Sequence, residues 1–196
     1  MVSLSRLAIY CGSASPADTR YVEAARVVGR TLAERGIGVV YGGGRLGLMG
    51  AVADAALEAG GEVIGVIPEK LVAAEVAHRG CTQLHVVQTM HQRKQMFTDL
   101  SDGFITLPGG VGTMDELWEA ISWAQIGYHQ LPVGLLNVGG FYDQLIAFNA
   151  HMIEVGFIRP QHKGIMIAEA DLGRLLDRMA AYEPHETIER MKAANL

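Results

Sequence analysis

GFITLPGGVGTMDELWEAISWAQIGY, residues 103–128, decides the fold. It opens on a short apolar run, passes through three glycines at 109, 110 and 112, and continues in a segment whose apolar residues recur at helical spacing. A buried strand, a tight turn and a helix read in that order form the repeating unit of an α/β sheet. The same alternation runs through the whole chain. LAIYC, GVVYG, EVIGVIP, LHVVQ, GFITLP, PVGLLNV and GIMIA read as seven strands, and the segments 18–35, 48–59, 90–101, 113–128, 141–155 and 171–182 read as helices. Strands apolar on both faces imply a mostly parallel sheet covered by helices on each side. The expected fold is α/β, a Rossmann-like, doubly wound sheet of about seven strands, with residues 1–196 forming one nucleotide-binding domain.

Composition limits what such a domain does. Hydrophobic residues make up 49% and charged residues 19%, as in a globular protein, and the apolar runs have strand length, too short to span a bilayer. The N-terminal stretch MVSLSRLAIYCGS lacks the pattern of a secretory signal, which makes the cytoplasm the expected location. Cys11 and Cys81 have no CxxC spacing and are expected as reduced thiols, and no histidine pattern matches a metal site. A net charge of −5 argues against nucleic acid and anionic membranes as partners, leaving a small ligand.

In open α/β sheets ligands bind beyond the carboxyl ends of the strands. Three small-residue turns fall there: CGSAS after the first strand, YGGGRLGLMG after the second and LPGGVGTMDE after the fifth. Backbone N–H groups in such turns and at helix N-termini can cradle phosphate. Gly42, Gly44 and Gly47 have GxGxxG spacing, but the pattern follows the second strand, and the acid expected after the next strand could only be Glu69, behind Pro68. A tight strand-to-helix connection explains the pattern better than a dinucleotide. Thr113 to Glu116 fits a capping box, with Thr113 as N-cap, and Glu116 falls off the core face marked by Met114, Leu117, Trp118 and Ile121. A cap needs no glycines before it, whereas a phosphate approaching the backbone does, so a ligand-facing Glu116 stands beside the capping reading. MHQRK places His91, Arg93 and Lys94 in the first turn of a helix, where the dipole disfavours cations. Their presence points to an external anion or a carboxylate partner, or to a solvated basic turn.

YGGGRLGLMG, MHQRK, PGGVGTMDE and ISWAQIGYHQLPVGLLNVGGFYDQL together resemble the Lonely Guy (LOG) family of cytokinin-activating enzymes, from CGSAS through GFIRP. The resemblance implies a Rossmann-like homodimer that hydrolyses the N-glycosidic bond of cytokinin riboside 5′-monophosphates, releasing free base and ribose 5-phosphate without cofactor or metal. It implies Arg93 and Glu116 as the catalytic pair, with Lys94 beside them. The expected substrate contacts are Ser13, Gly43, Gly44, Gly109, Gly110, Val111, Gly112, Thr113, Met114 and Asp115, with Glu75 and Ser122 as secondary positions. Broader hydrolysis of AMP or other nucleoside monophosphates, and a non-catalytic carrier of a nucleotide or pterin cofactor, are the alternatives. A pyridoxal-dependent lysine decarboxylase finds no lysine context.

Overall fold

A computed structural model describes residues 3–72 and 77–185. Seven strands form one sheet: β1 Arg6–Tyr10, β2 Gly38–Tyr41, β3 Val63–Pro68, β4 Gln83–Val87, β5 Phe104–Thr106, β6 Val133–Leu136 and β7 Met166–Glu169. Every neighbouring pair is parallel, in the order β4-β3-β2-β1-β5-β6-β7. The helices are α1 Arg20–Glu34, α2 Gly47–Glu58, α3 Met90–Leu100, α4 Val111–Ile126, α5 Asp143–Glu154 and α6 Leu172–Ala180.

Alternation along β1 sets the two layers. Leu7 and Ile9 join a buried cluster with α1, α2 and α6, while Ala8 and Tyr10 join another with α3 and α4. Apolar side chains on both faces are the reason the strands read as nearly continuous hydrophobic runs. The chain winds outward from β1 to β4, then crosses back through α3 to place β5 on the other side of β1. This reversal is the topological switch point, where the loops after β1 and β5 diverge and leave a crevice. The loops remain tied at its floor: Leu107 N–H donates to Tyr10 O at 2.8 Å, and Gly12 N–H donates to Pro108 O at 3.1 Å.

α4 differs from its sequence reading at the first turn. It begins at Val111 with Gly110 as N-cap and has no side-chain cap, so Thr113 is inside the helix and the Thr113–Glu116 capping box does not form. A box does form on α3, where Thr89 and Gln92 cap each other's backbone. Glu116 is also not free of the core, being only 8% exposed.

Beyond α4, His129 packs its ring 5.1 Å from Phe104 and accepts the Leu131 N–H on Nδ1. Burial, with the nearby His185 adding to it, lowers its pKa to about 4. The unfolded chain, with an ordinary histidine near 6.5, therefore binds more protons between these values. His129 should contribute its full stabilisation above about pH 6.5 and lose about 3 kcal/mol of it as pH falls toward 4. Urea melts at pH 7 and pH 4.5 should show this loss, and His129→Asn should flatten it.

Candidate active site

The crevice after β1 and β5 opens into a hollow of about 240 Å³ whose walls include Cys11, Gly12, Ser13, Met49, Met90, Arg93, Gly110, Val111, Gly112, Thr113, Asp115 and Glu116. A second hollow of about 190 Å³ adjoins it across Gly12 and Gly110, lined by apolar groups that include Tyr21, Leu48, Pro108 and Phe141.

Arg93 is the best-seated polar group. The residue is 3% exposed, and its guanidinium donates from Nε to Val66 O at 3.0 Å and from Nη2 to Gly42 O at 2.9 Å and lies 5.6 Å from the Phe97 ring centroid. Gly42, just past β2, and Val66, within β3, thus supply carbonyls that offset part of the cost of burying a cation. Gly42 makes the seat possible: a Cβ there would overlap the Arg93 guanidinium and come within 3.0 Å of Met49 Sδ. The first glycine of the GxGxxG pattern therefore accommodates an arginine. Gly43 and Gly47 adopt positive φ, and a Cβ on Gly47 would strike the backbone of Ser13 and Ala14.

Lys94 points elsewhere. Its ammonium bridges Asp115 at 2.8 Å and Glu119 at 3.0 Å, clamping α3 to α4. Desolvation alone would lower its pKa, but hydrogen bonds and charge from Asp115 and Glu119 hold it above the ordinary lysine value. Two adjacent cations in one helical turn are thus satisfied by carbonyls and carboxylates of the fold. The clamp sets the rotation of α4, one residue past Asp115 bringing Glu116 to the hollow.

Arg93 and Glu116 both line the hollow and both act on Cys11. Burial and the Glu116 charge raise the Cys11 pKa far above its usual range, with Arg93 opposing, so the cysteine stays a neutral thiol and offers no nucleophile at neutral pH. Tyr10 is shifted upward in the same way, by burial first and then by Glu116.

The glycine turns are not equivalent. Gly12 O accepts the Leu48 and Met49 N–H groups at 3.0 and 3.3 Å, so the start of α2 is capped by the protein itself. Among the described residues the start of α4 has no side-chain cap, and Cβ atoms on Gly110 or Gly112 would meet nothing within 4 Å. Packing does not require glycine at these two positions, and the helix N-terminus beside them attracts anions.

Of the residues singled out in the sequence, Ser13, Arg93, Gly110, Val111, Gly112, Thr113, Asp115 and Glu116 share the main hollow, and Gly109 lines the apolar one. Gly43, Gly44, Lys94, Met114 and Ser122 do not line either, and Glu75 lies outside the described residues. Cys11, Gly12, Met49 and Met90 line the main hollow without having been singled out. Gly12 follows β1 in the first of the small-residue turns, which marked its place but not its contact with α2.

A protein-family profile described as "possible lysine decarboxylase" matches residues 49–179. The chain is 44% identical over 179 residues to a probable cytokinin riboside 5′-monophosphate phosphoribohydrolase, LOGL9, of Oryza sativa, covering 91% of this chain and 79% of the relative. It is 43% identical over 179 residues to the cytokinin riboside 5′-monophosphate phosphoribohydrolase LOG7 of Arabidopsis thaliana, covering 91% and 82%. The Moco carrier protein of Chlamydomonas reinhardtii superposes with a TM-score of 0.66 at 20% identity over 91% of this chain and 99% of that one, a likeness of fold alone. Amino-acid decarboxylation on a pyridoxal group would need a lysine in the site, and among the described residues none lines the main hollow.

The glycines make opposite predictions. Gly42→Ala should destabilise the protein by about 1–3 kcal/mol by displacing Arg93, whereas Gly112→Ala, in open space on a helix, should be neutral or stabilising by up to about 1 kcal/mol. Urea unfolding of the two variants beside the native protein measures both.

Proposed function

The chain belongs to the Lonely Guy (LOG) family, and from that membership and the geometry of the Arg93–Glu116 hollow we propose that it hydrolyses the N-glycosidic bond of cytokinin riboside 5′-monophosphates. The products are the free N6-modified adenine and ribose 5-phosphate. The observation that carries this reading is a buried carboxylate, Glu116, one and a half turns into a helix whose uncapped start opens on the same hollow as a buried arginine.

Each part has a role in this chemistry. The substrate 5′-phosphate is held by the N–H groups at the start of α4, with Ser13 and Thr113 beside it. That anchor brings the ribose to Glu116. As the C1′–N9 bond lengthens, positive charge grows on the sugar and the bonding pair moves onto the purine. Glu116 stabilises the oxocarbenium-like sugar and takes the proton of the attacking water, whose oxygen bonds to C1′, while the purine leaves with the C1′–N9 electron pair and takes a proton from solvent, to which Glu116 returns its own. Arg93 orients Glu116 and balances the charge that develops in the substrate. The adjoining hollow, with Tyr21 and Phe141 in edge contact at 5.6 Å, supports an apolar N6 substituent over unmodified AMP.

The chain is proposed to work as one nucleotide-binding domain, as a homodimer, in the cytoplasm. Val111 and Met90, on the rim of the hollow, are 88% and 41% exposed, apolar surface suited to burial against a second subunit. Cys11 and Cys81 are free thiols, compatible with a reducing compartment. Among the described residues no helix is long and apolar enough to cross a membrane.

Glu116→Gln should retain nucleotide binding and lose turnover of N6-isopentenyladenosine 5′-monophosphate on the order of 10²–10⁴-fold. Calorimetry of binding and mass spectrometry of the released base give the two readouts, with AMP and the unphosphorylated ribosides run alongside. Turnover within a few-fold of the native enzyme removes Glu116 from the mechanism.

A further inference from the structure

Two arginines outside the catalytic hollow share a second polar site. Arg45 lies in the turn after β2, and Arg79 in the segment leading to β4. The two segments are zipped together by an antiparallel bridge between Gly44 and Ala77 and by the His78 N–H donating to Gly43 O at 2.9 Å.

His78 turns this junction into a rigid platform. It is 6% exposed, and its Nε2 lies 2.9 Å from Asp54 Oδ1 on α2. Its Nδ1 accepts the Gly80 N–H at 3.2 Å, which assigns the ring proton to Nε2, facing the carboxylate. Cys81 Sγ lies 3.6 Å from the same Nδ1 and 3.3 Å from the Tyr41 hydroxyl, extending the network to the end of β2. A Cβ on Gly80 would approach His78 Cε1 to 2.9 Å, so the turn closes tightly on the ring.

Over this platform is a hollow of about 370 Å³ lined by Arg45, Asp54, Ala77, His78, Arg79 and Gly80. It shares no lining residue with the catalytic hollow. Both guanidinium groups are exposed, and among the described residues neither forms an ion pair. The carboxylate of the hollow, Asp54, faces His78. Two like charges thus line one hollow in a chain of net charge −5, an arrangement that an added anion relieves.

We propose that this hollow is a second anion site, which takes a phosphate dianion through charge-assisted hydrogen bonds from Arg45 and Arg79. The occupant is free phosphate or the phosphoryl group of a small phosphate ester. The proposal does not depend on the glycosidic reaction.

The test is a titration of the ¹⁵N-labelled full chain with inorganic phosphate at constant ionic strength, followed by amide spectra. The amides of His78, Arg79 and Gly80 should shift saturably, and the double variant Arg45→Gln/Arg79→Gln should weaken that response at least about tenfold in Kd. The variant's melting temperature should stay unchanged, because both side chains are exposed. The amides of Gly110 and Gly112 report the catalytic hollow separately, so failure at one site is distinguishable from failure at the other. A parallel titration with glycerol 3-phosphate separates the two sources: tighter binding of the ester identifies an organic phosphate, tighter binding of the inorganic ion identifies free phosphate. Absence of a shift at residues 78–80, an equal response to chloride, or an unaltered response in the double variant overturns the site.

Discussion

The site depends on a cation held out of water. Arg93 is buried at the start of α3, where a helix dipole opposes it, and the carbonyls of Val66 and Gly42 make that position tenable. Those acceptors lie close together because β2 and β3 are adjacent parallel strands, with Tyr41 paired to Gly65, one residue before Gly42 and Val66 respectively. The absence of a side chain at Gly42 leaves room for the guanidinium. Arg93 lines the same hollow as Glu116, so its positive charge offsets part of the cost of enclosing that carboxylate.

The second constraint is the interlocking of loops at the switch point. Gly12 links β1 to β5 through Pro108 and caps α2 through its own carbonyl, so the turns after three strands form one unit. Lys94 then fixes α4 to α3 through Asp115 and Glu119. With one end of α4 set by the β5 turn and its rotation set by this clamp, Glu116 has little freedom. Positioning of this kind comes from ordinary packing and ion pairing, with the Glu116 carboxylate carried on a helix and not on a flexible loop.

The architecture was legible because each buried strand announces itself as an apolar run between glycine-rich turns, and all seven runs became strands. Strand order was not legible: nothing in residues 88–103 says that the chain crosses back to β1 instead of extending the sheet beyond β4. At the site, the residue types were visible while their partners were hidden. MHQRK displayed two cations needing anions or acceptors, yet one found backbone carbonyls and the other a pair of carboxylates, both distant in sequence. The TxxE pattern suggested a cap, and local spacing could not reveal that α4 starts two residues earlier, at the glycines. Gly42 and Gly112 look alike in the sequence, although one makes room for a protein side chain and the other faces open space.

If an anchored phosphate delivers ribose to Glu116, water must end up on the sugar. The most direct measurement is mass spectrometry of the products formed from N6-isopentenyladenosine 5′-monophosphate in H₂¹⁸O, read at early times before the sugar aldehyde exchanges with solvent. The account predicts free isopentenyladenine and ribose 5-phosphate carrying one ¹⁸O at C1. Label in released inorganic phosphate with the riboside left intact, or a nucleotide that binds and stays whole, would contradict it.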